Sequence, residues 1–333
     1  MNIIFGMKPV KTRNKRINSK KNKTIKLYNK LENNKSPPFP IDVVYTWTGD
    51  QTSSDVRLGY NYELKYSIRS IYQFAPWVNK IYILMNPPKK MPSWIKKDND
   101  KIELVDHYDT FPSNKYLPNT NSNAIETTIP NIKGLTEHYI YFNDDVFLGR
   151  PAKYTDFFTP NGKALIHYYA QETSSPYNNC KNAKKLNIQM PPNTDKIYEH
   201  VPIPKIKSLN LEFNNKYADY VDWIRNTKKR KGKGFDICNK YNLRAPCHQV
   251  HYPLAKYMYA KKMAVLTNDN YRTYYISTYV DYLNENLNNI IKLRPLFFCI
   301  NDTETDVNKR KQLPNKLLKF FNEYYPDKPP FEK

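Results

Sequence analysis

No uninterrupted apolar run of about 18 residues, the length a bilayer-spanning helix needs, occurs in this chain. Its first residues also lack the basic-then-apolar order of a secretion signal. These absences predict an intracellular, cytoplasmic protein that meets a membrane peripherally at most. Cysteine is scarce: Cys180, Cys238, Cys247 and Cys299 are widely spaced and form no Cys-x-x-Cys pair. That argues against both a structural zinc site and a disulfide framework. Acids are in short supply too, 31 against 53 Lys and Arg, which leaves a net charge of +22.

What is present is ample core. The 333 residues are 40% hydrophobic and 14% aromatic, enough for one large or two ordinary globular domains. The positive charge is uneven, because residues 1 to 40 carry eleven Lys or Arg against the single acid Glu32. Residues 1–38 therefore read as a basic, mobile tail, broken at Pro37-Pro38-Phe39-Pro40, with a short helical stretch near Thr24 to Leu31. Such a tail could contact an anionic membrane face, a nucleic acid or an acidic glycan, or serve solubility alone.

Patterned sequence begins at Phe39-Pro-Ile-Asp-Val-Val-Tyr-Thr-Trp47, a β-branched and aromatic run ending in the turn-like Thr48-Gly49-Asp50. From Glu63 to Phe74, Leu64, Ile68, Ile71 and Phe74 fall on one helical face, and Pro76 stops the helix. Asn79 to Met85 alternates as a second strand, and Ile102 to Val105 supplies another. Strand, helix, strand in this order predicts a parallel sheet with right-handed crossovers, so Trp47, Asp50 and Asn86 should line one rim. Asn121 to Glu126 starts a further helix, capped by Asn or Ser, before Pro130 interrupts it.

The stretch Tyr139-Ile-Tyr-Phe-Asn143-Asp144-Asp145-Val-Phe-Leu148 is the most informative. A buried strand here opens into two adjacent carboxylates, at the strand end where open α/β sheets place their ligands. Neighbouring acids repel unless a cation is shared between them. A hard ion such as Mg²⁺ (or Mn²⁺), held by Asp144 and Asp145 together with substrate phosphates, meets that need and suggests nucleotide-diphosphate chemistry. A solvated strand-end turn is the plain alternative.

These segments closely resemble the Stealth family. Ile41 to Trp47, Glu63 to Ser70, Ala75-Pro-Trp-Val78, Asn121 to Glu126 and Tyr141-Phe-Asn-Asp-Asp-Val146 are similar to its first two conserved regions. Ala245 to Met258, with Arg272, resembles the third, and Leu296 to Asp302, Phe320 to Pro326 and Pro330-Phe-Glu332 resemble the fourth. The resemblance covers residues 39–333 as one catalytic domain, with regions near 39–50, 57–150, 235–285 and 293–333. It implies a Rossmann-like α/β core of the GT-A kind, completed by a C-terminal helix. It also implies transfer of a hexose-1-phosphate from a UDP-sugar to an acceptor glycan hydroxyl, with release of UMP.

Carried onto matching positions, the resemblance implies catalytic duty for Glu126, Asp145, His248 and Arg272. It places Asp42, Thr46, Trp47, Arg57, Asn61, Glu63, Asn143, His251 and Asp302 near the substrates. The residue types suit the chemistry: a guanidinium forks onto phosphate, and an imidazole can take a proton near neutral pH. The spacing to Met258 favours His248; His251, which precedes Tyr252-Pro253, competes for the imidazole's role, and Asp145 or Glu126 could serve as base if the metal leaves one of them free. Asp42 could merely open its strand, and Trp47 could be core. Two departures stand out: the short loop after Trp47, and Pro130-Asn131 where relatives carry a His-Arg pair. Lys228 to Gly234 forms a basic loop suited to an anionic acceptor or simply to solvent. The rival readings are a glycosyltransferase that releases UDP, and a basic nucleic-acid-binding protein.

Overall fold

A computed structural model describes residues 36–47, 49, 62–167, 201–229, 250–267 and 273–333. Arg57, Asn61, His248 and Arg272 lie outside the described residues, as do Asp50, the stretch near Thr24 to Leu31 and most of the basic loop.

The chain order is β1 (Ile41–Trp47), α1 (Glu63–Phe74), β2 (Ile81–Met85), β3 (Ile102–Asp106), α2 (Ser122–Glu126), β4 (His138–Asn143) and β5 (Val146–Leu148). Next come β6 (Ala164–His167), β7 (Ile203–Ile206), α3 (Lys207–Lys216), α4 (Ala218–Asn226), α5 (His251–Ala260) and β8 (Ala264–Thr267). The described chain closes with β9 (Thr273–Ser277), α6 (Val280–Leu293), β10 (Phe297–Asn301) and α7 (Leu313–Tyr324).

The central sheet has five strands in the order β3-β2-β1-β4-β7. β1 to β4 run parallel and β7 closes one edge antiparallel to β4. Strands buried on both faces need continuous apolar runs, and β1 and β2 supply them, with Ile41, Val43, Val44, Ile83 and Leu84 wholly buried. The expected α/β core is thus present. The predicted face of α1 is the buried one, including Leu64, Ile68, Ile71 and Phe74, and each such side chain taken out of water stabilises the fold by roughly 1.5–3 kcal/mol.

A second sheet, absent from the sequence reading, has three strands in the order β5-β10-β9. The polar turn Asp144-Asp145 ends β4, and the chain then leaves the central sheet so that Val146, Phe147 and Leu148 pair antiparallel with Cys299, Phe298 and Phe297. Phe147 stacks on Phe298 with ring centroids 5.0 Å apart, and α7 buries Leu317, Phe320, Phe321 and Tyr324 against this layer. The hydroxyls of Tyr324 and Tyr325 donate to Gly149 O and Leu148 O, each at 2.7 Å. The fourth region therefore packs back on the core, as its helical spacing predicts. Among the described residues, no helix is long and apolar enough to cross a membrane.

Candidate active site

The parallel register brings strand ends to one edge. Thr46 lies opposite Asn143, Trp47 opposite Met85, and Met85 opposite Asp106. Trp47 and Asn86 thus share the predicted rim, and the half-buried Asn143, Asp144 and Asp145 form its centre.

Asp145 is held from the second sheet. Its carbonyl accepts from Ile300 N at 3.0 Å, and its Oδ2 accepts from the Cys299 thiol at 3.3 Å. Burial, then the charges of Asp145 and Asp144, push the Cys299 thiol well above its ordinary pKa, so it stays a neutral donor. On the helix side, Ser67 Oγ donates to Val146 O at 2.5 Å and bonds Tyr45 OH at 2.7 Å. Glu63, one turn before Ser67, opens α1 behind Tyr62, whose φ of 69° is left-handed. A helix that follows β1 starts at the carboxyl edge of the sheet, which puts Glu63 on the rim side.

Tyr141 ties the acids together. Its buried hydroxyl lies 3.0 Å from Thr46 Oγ1. Burial raises its pKa most, and Glu126, Asp144 and Asp145 each raise it further, so three carboxylates converge electrostatically on one phenol. Glu126 arrives from α2, where Asn121 caps the helix by accepting from Asn123 N at 3.2 Å. Arg225 on α4 secures the residue that follows, donating to Thr127 Oγ1 at 2.8 Å and Thr127 O at 3.1 Å. Across from Glu126, His251 begins α5, with Nδ1 3.8 Å from Glu126 Oε2. That pair is 7% and 20% exposed at Glu126 and His251 respectively, so it is shielded yet open to a ligand. His251 packs on Tyr252, ring centroids 4.4 Å apart, and borders a narrow crevice of ≈ 20 Å³ with Ile166, His167, Pro202, Pro204 and Ala255.

One predicted site residue takes another position. Asp42 sits at the opposite end of β1 from Trp47 and is fully buried. Its Oδ1 accepts from Asn79 Nδ2 at 2.8 Å and Lys80 N at 3.1 Å, and its Oδ2 from Thr136 N at 2.8 Å. Asp42 joins the entries of β1, β2 and β4, the placement that the strand-opening alternative expects. Asp42→Ala, which strands two backbone donors, is expected to cost about 3 kcal/mol of stability and to leave donor KM unchanged, as read by urea unfolding and steady-state kinetics. Asp302, just beyond β10, accepts from Thr278 Oγ1 at 3.0 Å and pairs with Arg310 Nη2 at 2.8 Å. The Ile300–Asp145 bond keeps it beside the acidic turn, with part of its charge already answered by Arg310.

Among the described residues no group of three or more His, Cys, Asp or Glu forms a metal cage. Two adjacent carboxylates do fit an ion of the Mg²⁺ type, which takes one or two carboxylates and completes its shell with water and phosphate oxygens. A larger open cleft of ≈ 470 Å³ lies elsewhere, lined by Ile71, Tyr72, Ile81, Lys96, Lys101 and Phe331. It borders the amino ends of β2 and β3, at the far edge from the acids, and contains none of the clustered groups.

Sequence reasoning missed Cys299 and Tyr141 as neighbours of the acidic turn. A cysteine in an aromatic run carries no local signal of its neighbours, which only the sheet pairing supplies.

Comparison with known proteins bears on the family. The family model described as Stealth protein CR2, conserved region 2, matches residues 57–166, a span that holds α1 to β5. Capsular polysaccharide phosphotransferase fcs1 of Haemophilus influenzae is 30% identical over 315 residues, 81% of this chain and 80% of that one. Capsular polysaccharide phosphotransferase LcbA of Aeromonas hydrophila is 30% identical over 348 residues, 88% and 87% of the two chains. An exopolysaccharide phosphotransferase of Streptomyces coelicolor is 29% identical over 328 residues, and there the match spans 89% of this chain but only 57% of the relative's length. Among solved structures, the galactosyltransferase LgtC with donor and acceptor sugar analogues matches with a TM-score of 0.48 at 9% identity, covering 85% of this chain and 95% of that one. With a conserved region that encloses Glu126 and both rim aspartates, and with two relatives aligned over most of their own length, the chain belongs to the Stealth family.

Proposed function

We propose that this protein transfers a hexose-1-phosphate from a UDP-hexose to a hydroxyl of an acceptor glycan. The observation that supports this reading is the Glu126–His251 pair, 3.8 Å apart, with Glu126 and the Asp144-Asp145 turn both acting electrostatically on the Tyr141 phenol. An acceptor hydroxyl is a poor nucleophile until its proton is removed, and an imidazole steadied by a carboxylate does this near neutral pH. In the proposed step the acceptor oxygen bonds to the sugar-bearing phosphorus and the bond from that phosphorus to the UMP oxygen breaks. The proton passes to His251, and Glu126 stabilises the imidazolium. UMP departs as the anion. The anomeric C–O bond is untouched, so the sugar keeps its donor configuration.

Negative charge grows on the phosphoryl oxygens and on the leaving group, and catalysis of such transfers rests mostly on positioning and electrostatics. Asp144 and Asp145 would hold Mg²⁺ or Mn²⁺, which when bound supplies neutralising charge to the pyrophosphate. The chain's own part is to fix that turn, through Cys299, Ile300 and Ser67, so that the carboxylates need no reorganisation. Arg272 is proposed as the phosphate fork.

Incubation with Mg²⁺, a UDP-sugar panel and a glycan acceptor is expected to accumulate UMP, identified by mass. Asp145→Asn should slow its release by about 10²–10³-fold. Accumulation of UDP instead would assign the protein to ordinary glycosyl transfer and overturn the proposal.

A further inference from the structure

A single exposed tyrosine is ordinary, but several along one corner that leads out of an acidic site call for a reason. Tyr275 on β9, Tyr279 at the head of α6 and Tyr282 in its first turn are 46%, 51% and 62% exposed. The register ties this corner to the rim. β9 pairs parallel with β10 and sets Tyr275 opposite Cys299 and Ser277 opposite Asn301. Residues paired across strands project from the same face of a sheet, and neighbouring strands lie about 4.8 Å apart. Cys299 uses that face to reach Asp145 Oδ2 at 3.3 Å, so Tyr275 emerges one strand spacing from a side chain that touches the acidic turn. Ser277 and Asn301, both partly exposed, follow on the same face. The other face is core, where Phe298 meets the Phe320 and Tyr324 rings of α7.

The start of α6 is fixed at the same place. Thr278 Oγ1 donates to Asp302 Oδ1 at 3.0 Å, and Thr278 N donates to Asn301 O at 3.1 Å. Tyr279 therefore leaves the end of β9 beside Asp302, and Tyr282 N donates to Tyr279 O at 3.0 Å as the helix begins. The acids of this corner are answered from within the protein, Asp281 by Lys309 and Asp302 by Arg310. Rings, a hydroxyl and an amide are what the corner then offers to a ligand. That set suits a pyranose, which has an apolar C–H face for a ring to cover and a fringe of hydroxyls for hydrogen bonds. A nucleic acid or an anionic membrane would need a basic face, and Asp281 and Asp302 work against one.

We propose that Tyr275, Tyr279 and Tyr282 form the acceptor subsite, a track on which successive sugars of the acceptor glycan stack as it leaves the acidic turn. Ser277 and Asn301 bond the hydroxyls of the sugar nearest that turn. This rests on the function proposed above only in that the acceptor is a glycan, and it adds where that glycan lies.

The test uses the full chain as wild type, Tyr279→Ala, Tyr282→Ala, the two combined, Tyr275→Ala and Tyr275→Phe. Binding is read on an array of short oligosaccharides cut from bacterial capsular polysaccharides, beside calorimetric binding of UDP and the unfolding midpoint. Tyr279 and Tyr282 are more than half exposed, so their variants should unfold with wild type. Each alanine variant is expected to lose about 10-fold or more in affinity for the captured fragments, with UDP affinity within about twofold of wild type. Tyr275→Phe, which keeps the ring, should retain most of what Tyr275→Ala loses. Wild type that captures no fragment, alanine variants that capture as wild type does, or equal losses for UDP would overturn the subsite. A wild-type dimer that the double variant turns into a monomer, by light scattering, would assign the corner to a subunit interface and overturn it as well. The product decides the parent reading separately: wild type that releases UDP sinks sugar-phosphate transfer and leaves the acceptor track standing.

Discussion

His251→Gln is expected to lower kcat for UMP release by about 10²–10⁴-fold, the range a positioned general base contributes, with little change in the unfolding midpoint. His248→Gln, assayed in parallel, should lose less than about tenfold. Two imidazoles three positions apart compete for one role, and chain spacing alone favours His248. The pairing of His251 Nδ1 with Glu126 Oε2 moves the proposal to His251. A base that becomes an imidazolium gains from a carboxylate on its far nitrogen, which fixes the ring and stabilises the product charge. His251 is also the first residue of α5, so its backbone is set by a helix whose next turns are buried through Leu254, Ala255, Tyr257 and Met258. If the two act as a unit, Glu126→Gln combined with His251→Gln should cost little more than the worse single change. Additive losses, or a larger effect at His248, would return the role to His248 and leave Glu126 to the acceptor or the metal.

The elements that organise the rim were legible because each is dictated locally. β1 and β2 are continuous apolar runs, α1 has its stripe at helical spacing and a proline stop, and α2 has an asparagine cap in the expected place. The acidic turn was legible as a site because it ends a strand whose flanks are all core. What could not be read is every feature created by pairing between distant segments. Val146 to Leu148 looks like the continuation of β4, yet it crosses to another sheet because Cys299 and Phe298 wait there as partners. Asp42 has the composition of a site residue and the surroundings of a structural tie, and only the positions of Asn79 and Thr136 separate the two. Tyr275 could be placed on the face of Cys299 only once the edge register was known. Family resemblance gave the residue types, and the 3.8 Å distance to Glu126 is what favours His251 as the proposed base.

The largest stability effect is expected at Glu332, far in sequence from the acids. Its side chain is fully buried and accepts from Arg69 Nε at 2.6 Å and Nη2 at 2.5 Å, with Lys65 Nζ at 2.9 Å. Arg69 also donates to Tyr325 O at 3.0 Å and lies 4.6 Å from the Tyr66 ring centroid. Both basic residues are on α1, the helix whose Ser67 bonds Val146 O beside Asp145, so this ion pair fastens residues 325–332 to the element that steadies the site. Removing one member of a buried pair leaves the other charge uncompensated, and Glu332→Ala is expected to cost about 3–5 kcal/mol in urea unfolding. Replacing both Arg69 and Glu332 with Met should recover much of that loss, since no stranded charge remains. Burial on its own would raise the Glu332 pKa, but hydrogen bonds and charge from Arg69 and Lys65 outweigh it and hold the carboxyl below its ordinary range. A carboxyl depressed in the folded state contributes stability above its unfolded pKa of about 4.3, and that contribution disappears as pH falls through the lower folded value. The gap between wild type and Glu332→Ala should therefore be full at pH 7 and narrow only in acid below about pH 4. A gap under about 1 kcal/mol at pH 7, or one that persists unchanged into strong acid, would mean that the pair fixes geometry without stabilising the fold.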